Sequence, residues 1–282
     1  MIYVSSSCVK TVRINESVKA LAEAGFKHIE LSGGTEAYDN LESDLLRLQE
    51  KYELQYLCHN YFPPPQKAFV LNLAALDETA DLSLAHCKRA IDLSMRLGAQ
   101  QFAFHAGFLI NIPLDQIGKK IEKRTLFDKS AALKRFHEML DQLLEYADGK
   151  VKLYIENNVL SKENHLEFEG ENPFFFTHSD SLAEAKGSCE IGHLLDLAHL
   201  RVSANSLNLD FQNEVNRLID QTDYIHISEN QGKRDENKAL KVDSAIVNAL
   251  KNKKLKHKSI TLETYTDLRG IRESYEIVQS LL

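Results

Sequence analysis

Cysteine is scarce in this chain and never paired: Cys8, Cys58, Cys87 and Cys189 stand alone, with no CxxC among them. That pattern excludes a disulfide frame or a zinc-thiolate knot and fits reduced thiols. Long apolar runs are missing too. Stretches such as FAFHAGFLI from Phe102 fall well short of the ~20 residues that cross a bilayer, so no membrane span is expected. The start, MIYVSSSCVK, has no basic opening followed by an apolar core and cleavage site; it reads as a strand, and the expected location is the cytoplasm. Positive charge is in deficit, with 34 Lys and Arg against 41 Asp and Glu and a net charge of −7. A broad attraction to nucleic acid or to an anionic membrane is therefore not expected. No GxGxxG follows the first strand, and the pair Gly33-Gly34 is a lone turn signal, which leaves a dinucleotide fold without support.

What is present is ordinary in composition, 43% hydrophobic and 27% charged, and strongly periodic. Eight short apolar or β-branched runs recur: IYVS from Ile2, HIELS from His28, LQYLCH from Leu54, FAFH from Phe102, KLYIEN from Lys152, GHLLDL from Gly192, YIHIS from Tyr224 and ITLET from Ile260. Helical spacing follows each, as in ESVKALAEAG, where Val18, Leu21 and Ala22 share a face and Gly25 suits a terminating left-handed residue. Further helices are predicted to start near Asn40, Ser83, Lys129, Asp180, Phe211, Val242 and Asp267. Eight successive β/α units favour closure over an open sheet, so the expected fold is a single (β/α)8 TIM barrel, one domain over residues 1–282. The run Pro63–Pro65 sits just after a strand and reads as a stiff active-site loop. The segment Ser161–Ser179, with Phe174–Phe176 in it, is long enough to be a lid, a rim-packing segment or a dimer contact.

In such barrels the site lies at the carboxyl ends of the strands. Ionisable residues concentrate there: Glu30, His59, His105, Glu156, Asp196 with His199, His226, and Glu263. A lone strand-end histidine can simply bond a backbone carbonyl, but unpaired buried charge costs several kcal/mol. Convergence of the set on a cation removes that cost. Two glutamates, an aspartate and a histidine, Glu156, Asp196, His226 and Glu263, suit a divalent ion such as Mn²⁺, Zn²⁺ or Co²⁺, with Mg²⁺ also admissible. The cluster KNKKLKHK after Asn252 reads as a solvated loop at the barrel bottom.

In order and spacing, GFKHIELSGG at Gly25, LCHNY at Leu57, FHAGF at Phe104, IENN at Ile155, LLDLAH at Leu194, HISEN at His226 and TLET at Thr261 resemble the xylose isomerase-like barrel superfamily across essentially the whole chain. That group includes ketose epimerases, related isomerases and dehydratases, and the metal-dependent apurinic-site endonucleases. The resemblance implies that Glu156, Asp196, His226 and Glu263 are the shared metal ligands and that His199 faces the substrate. It further implies an isomerase or epimerase acting on a sugar or sugar phosphate through a cis-enediolate, with Glu156 and Glu263 moving the proton on opposite faces of the carbon. Arg234 is a candidate for holding a hydroxyl, carboxylate or phosphate, although its spacing departs from the epimerase pattern, and Glu30 is a further substrate-binding candidate.

The competing class is a metal-dependent phosphoesterase like the endonucleases. His59, His105 and Glu156 match one of their metal sets, so a second metal at His59 and His105 stays open. A third set, His199 with Asp235 and a histidine, is broken by Asn237. A barrel that binds a metabolite without turning it over is the remaining class; loss of either glutamate would have favoured it. The expected partner is a small carbohydrate, with no nucleic acid and no membrane, and homo-oligomer formation is left open.

Overall fold

The computed structural model describes residues 1–282. Eight parallel strands close into a barrel in sequence order. They are β1 Ile2–Ser5, β2 His28–Leu31, β3 Gln55–His59, β4 Gln101–His105, β5 Lys152–Glu156, β6 Gly192–Asp196, β7 Tyr224–Ile227 and β8 Ser259–Leu262. The helices are α1 Ile14–Glu23, α2 Leu41–Tyr52, α3 Glu78–Arg96, α4 Lys129–Ala147, α5 Lys162–Glu167, α6 Ser179–Lys186, α7 Leu197–Ser206, α8 Phe211–Leu218, α9 Ala245–Leu250 and α10 Leu268–Ser280. None is long and apolar enough to cross a membrane.

Side chains alternate across each strand, and here both faces are apolar for different reasons. Outward residues such as Val4, Ile29, Phe102, Phe104, Ile155, Leu195, Ile225 and Leu262 join the large core beneath the helices. Tyr3, Leu57, Ala103, Tyr154, Leu194 and Tyr224 form a separate buried cluster that fills the interior. Two residues further along, the inward position turns ionisable. Leu57 leads to His59, Ala103 to His105, Tyr154 to Glu156, Leu194 to Asp196, Tyr224 to His226 and Thr261 to Glu263. The register Ala103 with Tyr154, His105 with Glu156 and Asp196 with His226 keeps these layers level between neighbours.

Several boundaries differ from the sequence reading. α3 begins at Glu78, capped by the Asp77 side chain, five residues before the apolar spacing becomes helical at Ser83. α9 begins at Ala245 behind a Ser244 cap, not at Val242. β6 passes into α7 with no loop, and Asp196 is itself the cap, accepting from the His199 amide at 2.7 Å. In the segment expected to be lid, rim or contact, Phe174, Phe175 and Phe176 are buried within the chain and Phe174 pairs with Phe108 through an isolated antiparallel bridge. Rim packing is the outcome for those rings. All four cysteines are free and buried.

Candidate metal and substrate site

The inward ionisable layer meets at Glu156. One carboxylate oxygen, Oε2, lies 2.8 Å from His59 Nε2 and 3.3 Å from His105 Nδ1. The other, Oε1, lies 3.6 Å from both His226 Nδ1 and His199 Nδ1 and has no hydrogen-bond partner. His226 Nδ1 is also 4.0 Å from Asp196 Oδ2 and 3.5 Å from Glu263 Oε2. Three overlapping triplets, His59–Glu156–His226, His105–Glu156–His199 and Asp196–His226–Glu263, each bring their ligand atoms within 4.8 Å of one another.

The donor set fits a divalent ion. Glu156 Oε1, His226 Nδ1 and His105 Nδ1 are buried polar atoms without partners, an arrangement that is costly unless something binds them. His226 is also aimed: its Nε2 contacts Glu30 at 2.9 Å, so with the carboxylate ionised it donates there and turns Nδ1 toward Asp196 and Glu263. His199 donates from Nδ1 to the Asn157 carbonyl at 2.9 Å, leaving Nε2 3.4 Å from Asp235.

Electrostatics follow from this crowding. Burial works against the Glu156 carboxylate, yet His105, His59 and His226 hold it well below the ordinary range. Burial pushes Asp196 up to about 6; His199 opposes the rise, and Glu156 and Asp235 add to it. His226 is raised well above its usual value, burial being overcome mainly by Glu30. His199 rises likewise, burial being overcome by Asp196 and Asp235.

A cavity of about 650 Å³ opens above this floor. Of the residues singled out in sequence, His59, His105, Glu156, His199, Arg234 and Glu263 line it. Asp196 and His226 lie just behind, 1% and 0% exposed. Arg234 sits at the rim, its guanidinium 3.0 Å from Glu163. Glu30 is a correction to the substrate-binding expectation: it is fully buried and absent from the cavity wall. Its Oε2 accepts from His226, Thr261 and Tyr224, and its Oε1 from Ser32. Register explains the difference, because Glu30 pairs with Leu57, one inward layer below His59. The Pro63–Pro65 run does not line the cavity either; Asn60 and Tyr61 before it do.

Sequence reasoning missed Asn157. Its side-chain amide donates to the Asp196 carbonyl at 2.9 Å and accepts from the Asp196 amide at 2.7 Å. It therefore fixes the spacing of the two metal-ligand candidates Glu156 and Asp196; the signal was the NN following Glu156.

The profile of the xylose isomerase-like TIM barrel family matches residues 18–281, and the chain belongs to that family. Solved structures share the fold at low identity. A D-tagatose 3-epimerase-like protein superposes with a TM-score of 0.74 at 19% identity, covering 99% of this chain and 96% of that one. The 3-keto-D-glucoside 4-epimerase from E. coli gives 0.66 at 12%, covering 99% and 98%. Endonuclease IV from Thermus thermophilus gives 0.62 at 14%, covering 99% and 98%. No curated protein matches the chain in sequence.

Proposed function

We propose that this chain is a divalent-metal-dependent isomerase or epimerase that moves a proton at the carbon beside the carbonyl of a sugar or sugar phosphate. The observation that carries the reading is the unpartnered pair Glu156 Oε1 and His226 Nδ1, buried between Asp196 and Glu263 at the floor of a sugar-accommodating cavity. Glu156, Asp196, His226 and Glu263 would hold the ion, Mn²⁺, Zn²⁺ or Co²⁺ being suited to three carboxylates and an imidazole. Bound there, it would polarise the substrate carbonyl and stabilise charge developing on its oxygen.

The remaining steps fall to side chains. Glu156 and Glu263 both reach the cavity, so one removes the proton and the other returns it, transfer of this kind being worth ~10²–10⁴-fold. His199, fixed by Asn157, presents Nε2 to a substrate oxygen. Arg234, its charge balanced by Glu163, meets a distal hydroxyl at the rim. Cytoplasmic residence fits four unpaired thiols. The named epimerases support this class as proteins of like fold.

Phosphoester hydrolysis is less favoured. His59 and His105 offer a second metal position on Glu156, but at the third set Asn237 Nδ2 donates to Asp235 at 3.1 Å where a ligand lone pair is required. The test is Glu263→Gln. Solvent-deuterium incorporation into a ketose should fall by at least ~10² while circular dichroism is unchanged. Retained exchange removes the acid–base role, and calorimetry showing no Mn²⁺, Zn²⁺ or Co²⁺ binding to the wild-type protein removes the metal.

A further inference from the structure

We infer that the substrate is a keto sugar bearing an apolar substituent, a glycoside with an aryl-type aglycone, seated against one wall of the cavity; this rests on the sugar reading above. The cavity is chemically divided. Over the strand ends of β1 and β2 its lining is hydroxyl-rich, with Ser6, Ser7, Ser32 and Thr35. Over β3, β4 and β5 Val70, Phe108, Ile112, Ile117, Ile121 and Phe174 form an apolar patch, with polar neighbours such as Gln116, Ser161 and Asn164 around it.

Size is the first argument. At close-packed density a hexose occupies roughly 200 Å³, so about 650 Å³ leaves most of the space for something else. Chemistry is the second. A ketose carries a hydroxyl on nearly every carbon, and pressing those against aliphatic and aromatic side chains would strip them of hydrogen bonds. An aryl ring laid against this patch needs none.

The wall is built in advance. Val70, Phe108, Ile121 and Phe174 belong to a buried cluster of their own, separate from the main core, and the rings of Phe108 and Phe174 meet edge to face at 5.7 Å. Asn72 pins it by donating to the carbonyls of Phe108 and Ile110, both at 3.1 Å. Ile117 hangs over the cavity 44% exposed, an apolar side chain that a flat substituent would cover. The rim cations do not argue for an anionic substituent instead, because each has a partner. Arg234 pairs with Glu163, Lys119 donates to the Asp115 carbonyl at 2.9 Å, and Lys10 sits over the Tyr265 ring.

The test compares phenyl and methyl 3-keto-β-D-glucoside by calorimetry on the full chain in Mn²⁺-containing buffer, with deuterium exchange followed separately. The phenyl compound should bind at least about tenfold more tightly and with a more negative heat-capacity change. Ile117→Asn should cut that ratio severalfold, whereas Leu114→Asn, 50% exposed on the same segment but outside the cavity, should leave it. Equal affinities, undetectable phenyl-glycoside binding, or a ratio indifferent to Ile117→Asn overturns the inference. A phenyl preference without exchange of either compound sustains the apolar subsite and removes the proton-transfer reading; exchange without a preference does the reverse.

Discussion

Asn157→Leu removes a bridge while nearly preserving volume. The Asn157 amide meets the Asp196 backbone twice, as donor at 2.9 Å and acceptor at 2.7 Å, and both residues are at most 1% exposed. Leucine leaves the Asp196 N–H unsatisfied where water does not reach, at a cost of about 1–3 kcal/mol, whereas the Asp196 carbonyl keeps the first hydrogen bond of α7. The metal-free protein should therefore lose about 1–3 kcal/mol, read as a lower urea midpoint at unchanged m. The second consequence is local. Asp196 would no longer be held level with Glu156, and loss of such support lowers metal affinity by ~10–100-fold. Chelator competition with Mn²⁺ or Zn²⁺ measures it. A stability loss under ~1 kcal/mol would contradict the hydrogen-bond argument, and unchanged metal affinity in a destabilised variant would show that Asn157 braces the fold without positioning the site.

Further outcomes follow from other residues. Burial, with Arg89 adding, lowers His86 to about 4, and burial, with Lys186 adding, lowers His193 to about 4. Both are then neutral in the fold and protonated in the unfolded chain below about 6.5, so stability present above that pH is lost between about 6.5 and 4, by up to ~3 kcal/mol for each. Urea midpoints across that range check it, and His86→Leu should flatten the slope; a slope unaffected by that change would clear His86. Asn237 already holds the left-handed φ of 47° that histidine tolerates, so Asn237→His should add about one equivalent of bound zinc through His199 and Asp235. Elemental analysis reads the result, and unchanged stoichiometry would mean more than an imidazole is missing. Asn72→Leu should free the wall it pins and speed protease cleavage within residues 111–124 by at least about fivefold; an unchanged cleavage rate would place the wall's stability elsewhere.

The barrel was legible because its strands are apolar on both faces for four or five residues and then turn ionisable at one inward position, a change visible as Leu57–His59 or Tyr224–His226 in the bare sequence. Helix starts were less visible: the Asp77 cap of α3 precedes its apolar spacing, and Val242, read as the start of α9, is an exposed residue ahead of the Ser244 cap. Glu30 was misplaced because parity alone does not carry register: it occupies an inward slot like the others, but beside Leu57. Asn157 escaped for another reason. An amide that mimics a backbone partner leaves no periodic or charge signal, and its role exists only once β5 and β6 are adjacent. The apolar wall was equally hidden, because Val70, Phe108 and Phe174 come from three connections that meet only after closure.

Charge balance explains why this cluster remains able to accept a cation. Glu30, Glu156, Asp196 and Glu263 converge with His59, His105, His199 and His226, and no lysine or arginine pairs with any of the four carboxylates. An arginine there would neutralise the carboxylates permanently, since its proton does not leave in the protein. Imidazole differs: it carries a proton while facing carboxylates and surrenders it when a metal competes for the same lone pair. The guanidinium of Arg201, five residues after Asp196, is held by Glu229 and the Asn230 carbonyl instead. The proton His226 shares with the cluster's carboxylates thus stands in for a cation without excluding one, and metal binding should be accompanied by its release.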